Sequence, residues 1–309
     1  MSQSPPQAKK QGKALWMTLL VTAVAVAALG WLLYKVDWAL AAATWVRVPA
    51  WVWLLAVLGF VGSHVLRAGR MRAEWSPRLR MGWQEAWGLM VRHSAWVVLA
   101  PMRGGEAVYV WALYRQGDVP LKQSTLSLLR LRLQDMAVLA VIAVAMFTPA
   151  PWYLRLLVLV ALLGVAIWCL PWVWSLLQAW AARRKGEMGR PMPAPAYVSW
   201  AYAVSNWIVK LCAIGLPLAY LLPIGADAAI KGALGGELAA ALPVQPPAGF
   251  GPYEGGVIMA VRMAGQAPWA DIAVAALVVH LLALGVTVGS ATVARLLGWS
   301  HRDLRQPTN

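Results

Sequence analysis

Apolar runs of bilayer length recur along the chain, at 14–34, 50–68, 123–148, 152–177, 197–222 and 271–297. Each is close to the roughly 20 residues a membrane-crossing helix needs. Two further regions, 83–109 and 228–262, are apolar but punctuated by glycine, proline and charge. Their interruptions are Ala100-Pro101-Met102-Arg103-Gly104-Gly105-Glu106 and Leu242-Pro243-Val244-Gln245-Pro246-Pro247-Ala248-Gly249-Phe250-Gly251-Pro252-Tyr253-Glu254. Broken backbone at membrane depth is tolerated only where protein or a water-filled cavity satisfies its free N–H and C=O groups. The pattern predicts an all-α polytopic membrane protein of about six spanning helices and two re-entrant, broken-helix segments.

Composition agrees with this pattern. Of the 309 residues 61% are hydrophobic and 13% charged, and the mean hydropathy is +0.60. A soluble domain carries roughly 25% charged residues, so little chain is left for a soluble catalytic domain. The net charge of +15 comes from 27 Lys and Arg against 12 Asp and Glu. The basic residues cluster between the apolar runs, which favours orientation and contact with anionic headgroups over nucleic acid. Cys169 and Cys212 fall inside apolar runs without metal-ligand spacing and read as small buried residues. The first run follows Lys9, Lys10 and Lys13 and is too long for a signal peptide, so it reads as an uncleaved helix. The division is then a cytoplasmic tail at 1–13, one integral membrane domain at 14–297 and a second cytoplasmic tail at 298–309.

Charge bias sets the topology. With both interrupted regions re-entrant, 69–122, 178–196 and the two termini are cytoplasmic and hold most of the arginines and lysines, including the Arg183-Arg184-Lys185 cluster. If both regions crossed fully, that cluster would lie outside. Each half then reads span, span, re-entrant segment, span, and the odd number inverts the second half relative to the first. Inverted halves with broken helices near the midplane are a recurring transporter architecture. Tryptophan, at 20 residues, clusters near the expected span ends, where amphipathic rings sit at the interface. The mixed Arg and Trp stretch from Met71 to Trp87 reads as a segment along the cytoplasmic surface.

An ionisable residue in mid-membrane costs roughly 2.5–3.5 kcal/mol on insertion scales, which makes each one a candidate for pairing or function. Arg103 and Glu106 flank Gly104-Gly105; they either grip a lipid phosphate or cap a loop as a pair. Arg132 and Asp135 share a helix face three residues apart and either pair or contact substrate, while nearby Arg130 can snorkel to the interface. Lys210, mid-span with Asn206 on its face, needs a buried partner or an anionic substrate, and Glu254 and Asp135 are the evident partners. Glu254 either binds a proton, cation or amine headgroup, or caps the following helix. Glu237 and Asp271 read as interfacial, and His64 and His280 as core residues. Pro101, Gly104, Gly105, Pro243, Pro247, Gly249 and Gly251 supply hinge or gate positions. No metalloprotease, P-loop, nucleophile-elbow or dinucleotide motif occurs, and the residues suggest no catalytic group, metal or cofactor.

Pro101-x-Arg103-x-Gly105-Glu106, Arg132-x-x-Asp135, and Leu242-Pro243 leading to Pro247-x-Gly249-x-Gly251-x-x-Glu254 resemble the integral-membrane domain of lysylphosphatidylglycerol synthases and the stand-alone flippase-like proteins related to it. The likeness runs over about 14–297. It implies a bacterial inner-membrane domain that moves an anionic or aminoacylated phospholipid, or a related lipid, between leaflets. The aminoacyltransferase domain of the synthases has no counterpart here, so lipid aminoacylation does not carry over. Expected partners are membrane lipids, a second copy of the chain, or a lipid- or glycan-modifying enzyme that the chain would otherwise merely scaffold.

Overall fold

The computed structural model describes residues 38–100, 104–183, 197–242, 246–264, 267–299 and 304. The expected span 14–34 and the candidate residues Pro101, Arg103 and Pro243 lie outside the described residues. Within them the chain is all α, with ten helices and no strand. In chain order these are α1 (Trp38–Arg47), α2 (Ala50–Trp75), α3 (Trp83–Leu99), α4 (Glu106–Gly117), α5 (Leu121–Phe147), α6 (Trp152–Arg183), α7 (Tyr197–Leu221), α8 (Ala226–Ala240), α9 (Pro252–Ala264) and α10 (Trp269–Leu296).

Local sequence explains several of the starts. Pro49, Pro120 and Pro268 immediately precede α2, α5 and α10 in extended conformation. Proline fixes φ and has no N–H, so it marks a boundary without leaving a donor unsatisfied. Four helices are long and apolar enough to cross a membrane: α2, α6 over Trp152–Ala179, α7 and α10. Of the six expected spans these are the second, fourth, fifth and sixth. The third corresponds to α5, which at 27 residues is about 40 Å long. It carries Lys122, Arg130, Arg132 and Asp135 and is not among those four. In α6 only 6% of the most apolar stretch is buried, so this helix turns its hydrophobic surface outward.

Each interrupted region is a pair of short helices around a break, α3 with α4 and α8 with α9. The first pair extends past the expected end at 109 to Gly117. A Cβ on Gly235 would fall 2.3 Å from the carbonyl oxygen of Gly256, and one on Gly256 2.3 Å from that of Gly235. α8 and α9 therefore touch backbone to backbone, which small residues permit in membrane helices. The order helix, broken pair, helix occurs twice: α2, α3–α4, α5, then α7, α8–α9, α10. The leading helices α2 and α7 pack closely, with Gly59 against Ala213, Gly62 against Val209 and Gly69 against Tyr202. As one number rises the other falls, so α2 and α7 run antiparallel.

One hydrophobic core joins α2, α5, α7, α8, α9 and α10, with Phe60, Leu139, Ile214, Leu234, Val257 and Ile272 at its centre. A second gathers the end of α2, the following turn, α3 and α4. Met71, Trp75, Leu79 and Met81 are buried in that second core. In the stretch from Met71 to Trp87, Met71, Trp75, Leu79 and Met81 turn inward, whereas Ser76, Arg78, Arg80 and Trp83 are exposed. Trp75 and Trp174 are likewise interior, whereas Trp51, Trp83, Trp168 and Trp172 are exposed. Of the expected tail at 298–309, Leu304 is buried; its carbonyl accepts from Arg80 N–H and its N–H donates to Gln116 O, each at 2.8 Å.

Candidate functional site

A cavity of about 180 Å³ lies where the middles of α2, α5, α7 and α10 converge with both broken pairs. α2 contributes Arg67, α5 Arg132 and Asp135, α7 Asn206 and Lys210, α8 Glu237, α9 Tyr253 and α10 His280. The last turn of α3, through Val97 and Val98, and the second break, through Ala248 and Gly249, also border it. A smaller pocket of about 30 Å³ shares Arg67, Arg132 and Asp135 as walls. A polar cavity of this size has room for several waters at roughly 30 Å³ each.

The charges around the cavity are mostly paired, though not as the sequence suggests. Arg132 and Asp135 do not pair with each other. Arg70 Nη1 meets Asp135 Oδ1 at 2.7 Å, and Trp207 Nε1–H donates to the same oxygen at 3.3 Å. Arg70 reaches it because α2 continues seven residues past its expected end at 68. Arg132 meets Glu106 at 3.1 Å. Lys210 pairs with Glu237 at 2.6 Å, not with Glu254 or Asp135. Glu237 is consequently buried, not interfacial; α8 carries it inward, where it neutralises the mid-helix lysine. Arg130 does not snorkel: it is buried against Glu74 at 2.7 Å.

Glu254 caps the helix it begins and also meets a histidine. Its Oε2 accepts the N–H of Gly251 at 2.7 Å, which is the capping contact a third-position glutamate makes to the residue before a helix. Its Oε1 lies 2.7 Å from His280 Nδ1. A carboxylate only accepts, so Nδ1 carries the hydrogen. The His280 ring lies against Tyr253 and Phe250, with centroids 4.2 and 5.0 Å away. His64, by contrast, is buried with neither ring nitrogen hydrogen-bonded among the described residues.

The breaks themselves differ. Gly105 is buried with its Cα hydrogen against the backbone of Trp96; a Cβ there would come within 2.0 Å of a carbonyl carbon. Gly104 is exposed. The second break winds through a short 3₁₀ turn, Pro247–Gly249, with positive φ at Ala248 (58°), Gly249 (76°) and Gly251 (91°). Glycine adopts this region without penalty, whereas Ala248 stores on the order of 1 kcal/mol or more.

Arg67 is the residue the sequence reading passed over. It lines the cavity, donates from Nη1 to Ser94 Oγ at 3.2 Å and has no carboxylate partner among the described residues. Buried polar groups are normally paired, and buried charges almost always. The neighbouring pairs Arg70–Asp135, Lys210–Glu237 and Arg132–Glu106 are each neutral, which leaves Arg67 as a cation on the cavity wall with no carboxylate in contact among the described residues. A signal for it existed: Ser63, Arg67, Arg70 and Glu74 recur at helical spacing and form one polar stripe on α2.

The two halves align in register at the site. The numbers 254 minus 106 and 280 minus 132 are both 148, as are 283 minus 135 and 284 minus 136. Glu106 and Glu254 each stand in the first turn of the helix after a break. Each pairs with a basic residue twelve positions into the following long helix, Arg132 in α5 or His280 in α10. Arg132, Asp135 and Met136 face the cavity, and so do His280, Ala283 and Leu284. Among the described residues, no three His, Cys, Asp or Glu side chains come together as a metal site. No protein-family model matches the chain, and no curated protein is similar to it.

Proposed function

We propose that the chain moves an anionic lipid between the leaflets of the bacterial inner membrane, with its phosphate held at Arg67 in the central cavity. The observation that carries this reading is the Arg67 guanidinium, without a carboxylate partner among the described residues, on the wall of a cavity at the middle of the long helices. A guanidinium matches a phosphate by two parallel hydrogen bonds. The single positive charge of the guanidinium matches the single negative charge of a phosphodiester. The flanking pairs keep the cavity wet and polar without adding charge. The likeness to the lysylphosphatidylglycerol synthase domain points the same way.

Several contacts support six spans with two re-entrant pairs. Leu304, the turn at 79–81 and Gln116 meet at one place, and charge bias puts all three in the cytoplasm. Arg155 binds Ala150 O and Asp227, which joins two segments expected outside. On this reading the ends of α3–α4 lie at the cytoplasmic face and those of α8–α9 at the outer face, while the last turn of α3 and the second break border the cavity. Antiparallel α2 and α7 and the constant offset of 148 support an inverted repeat. In this arrangement either broken pair can shift while the other closes the path, the alternating access of inverted-repeat carriers.

Reconstitution tests the reading. Vesicles holding the wild type should exchange fluorescent phosphatidylglycerol between leaflets faster than protein-free vesicles, and Arg67→Ala should slow that exchange about tenfold to a hundredfold, the loss expected for a charged hydrogen bond. Exchange no faster than in protein-free vesicles overturns transport and favours a scaffold for a lipid- or glycan-modifying enzyme.

A further inference from the structure

We infer that His280 and Glu254 form a proton-binding site that couples anion movement to proton movement. This rests on the transport reading above. Three observations carry it.

The first is geometric. His280 lines the cavity while its Nδ1–H donates to Glu254 at 2.7 Å. Its Nε2 has no hydrogen-bond partner among the described residues, so a proton arriving through cavity water adds at Nε2. The product is an imidazolium beside a carboxylate, and the couple passes from net −1 to neutral. The proton comes from water on one side and returns to water on the other, with no covalent step.

The second is the repeat. The counterpart couple, Arg132 with Glu106, has the same place in the other half. Arginine has no free lone pair and keeps its proton, whereas the imidazole of His280 has a second nitrogen at which a proton can add. One couple thus keeps its charge, and its counterpart is able to change it.

The third is electrostatic surroundings. Lys210 of α7 and Glu237 of α8 face the couple as a neutral pair. Tyr253 of α9 contributes a buried hydroxyl that has no partner among the described residues. Arg67 of α2 and Asp135 of α5, the latter paired to Arg70, lie across the cavity, and α3 offers only neutral Ser94. Arg67 faces the −1 state with a positive charge that has no carboxylate in contact among the described residues, and an anion bound there cancels its pull on the couple. An anion at Arg67 therefore favours proton uptake, and by reciprocity the proton favours the anion. The carboxylate also holds the N–H of Gly251, where φ is 91°, so the charge state of the couple bears directly on the shape of the second break.

The test uses the full chain in vesicles with fluorescent phosphatidylglycerol, a lumenal pH dye and an imposed gradient of one pH unit. One proton per anion should shift the steady-state leaflet ratio toward the alkaline side by up to about tenfold, since one pH unit is a tenfold difference in proton activity. The dye should report proton movement with the lipid, and protein-free vesicles should show neither. His280→Gln, and His280→Arg as the variant that keeps the ion pair, should lose the gradient response whatever their absolute rates. A wild-type ratio that ignores the gradient while exchange proceeds overturns the coupling and leaves transport standing. A gradient response retained in both variants overturns the site. No exchange at equal pH overturns transport and the coupling with it. If both variants fail to fold, the wild-type ratio and dye signal still decide the matter.

Discussion

The two broken helix pairs play one structural part with different materials. In the second, α8 and α9 meet through Gly235 and Gly256 with their backbones in contact. The first is looser: α3 and α4 flank an outward groove of about 880 Å³, with Trp96 and Trp111 exposed on it. The difference extends to their breaks. Gly105 is pressed against its neighbour helix with ordinary φ, whereas the second break relies on three left-handed residues and a glutamate clamp. Matching positions in the two sets of helix, broken pair and helix thus need not be equivalent in stiffness or in chemistry. One pair is closed by an arginine, the other by a histidine.

Four single substitutions and one double probe this contrast. The largest effect should come from Gly256→Val, which forces apart the touching backbones of α8 and α9. Overpacking of this kind costs typically 1–3 kcal/mol and more against backbone, and the thermal unfolding midpoint in detergent should fall by more than for any change on α4. Next is Glu106→Gln, which leaves Arg132 without its carboxylate. Breaking a buried pair costs about 3–5 kcal/mol, to be discounted to about 1–2 here because both side chains are roughly a quarter exposed. Glu254→Gln should cost less, because the amide oxygen of glutamine can still accept from Gly251 N–H and from the His280 ring. A loss in Glu254→Gln as large as that in Glu106→Gln would break the comparison. The double substitution Glu106→Gln with Arg132→Gln should recover part of the single loss. Smallest is Trp96→Ala on the exposed groove, with a midpoint within about a degree or two of wild type.

Much of the architecture is written in the sequence because apolar length and proline position are local signals. The four apolar spans and the locations of both breaks follow from them. The pairing of charges is not local, and there the reading failed in a consistent way. Arg132 and Asp135 are neighbours on one helix face, yet partners from α2 and α4 claim them. Lys210 takes Glu237, a residue that a hydropathy reading leaves at the interface because glycine and alanine surround it. Arg67 was hidden for a related reason: near the end of an expected span an arginine reads as a snorkelling residue, and only the extension of α2 to Trp75 makes it internal. The repeat was legible as an order of elements but not as residues, since Arg132 and His280 share a role and not an identity.

The most direct test of the account is the lipid selectivity of Arg67. In vesicles containing both fluorescent phosphatidylglycerol and fluorescent phosphatidylethanolamine, the wild type should exchange the anionic lipid at least about tenfold faster than the zwitterionic one, the discrimination expected of one charge-assisted hydrogen bond. In Arg67→Ala that preference should vanish. An unchanged preference in Arg67→Ala, with exchange intact, would contradict the claim that the unpaired arginine in the central cavity receives the cargo.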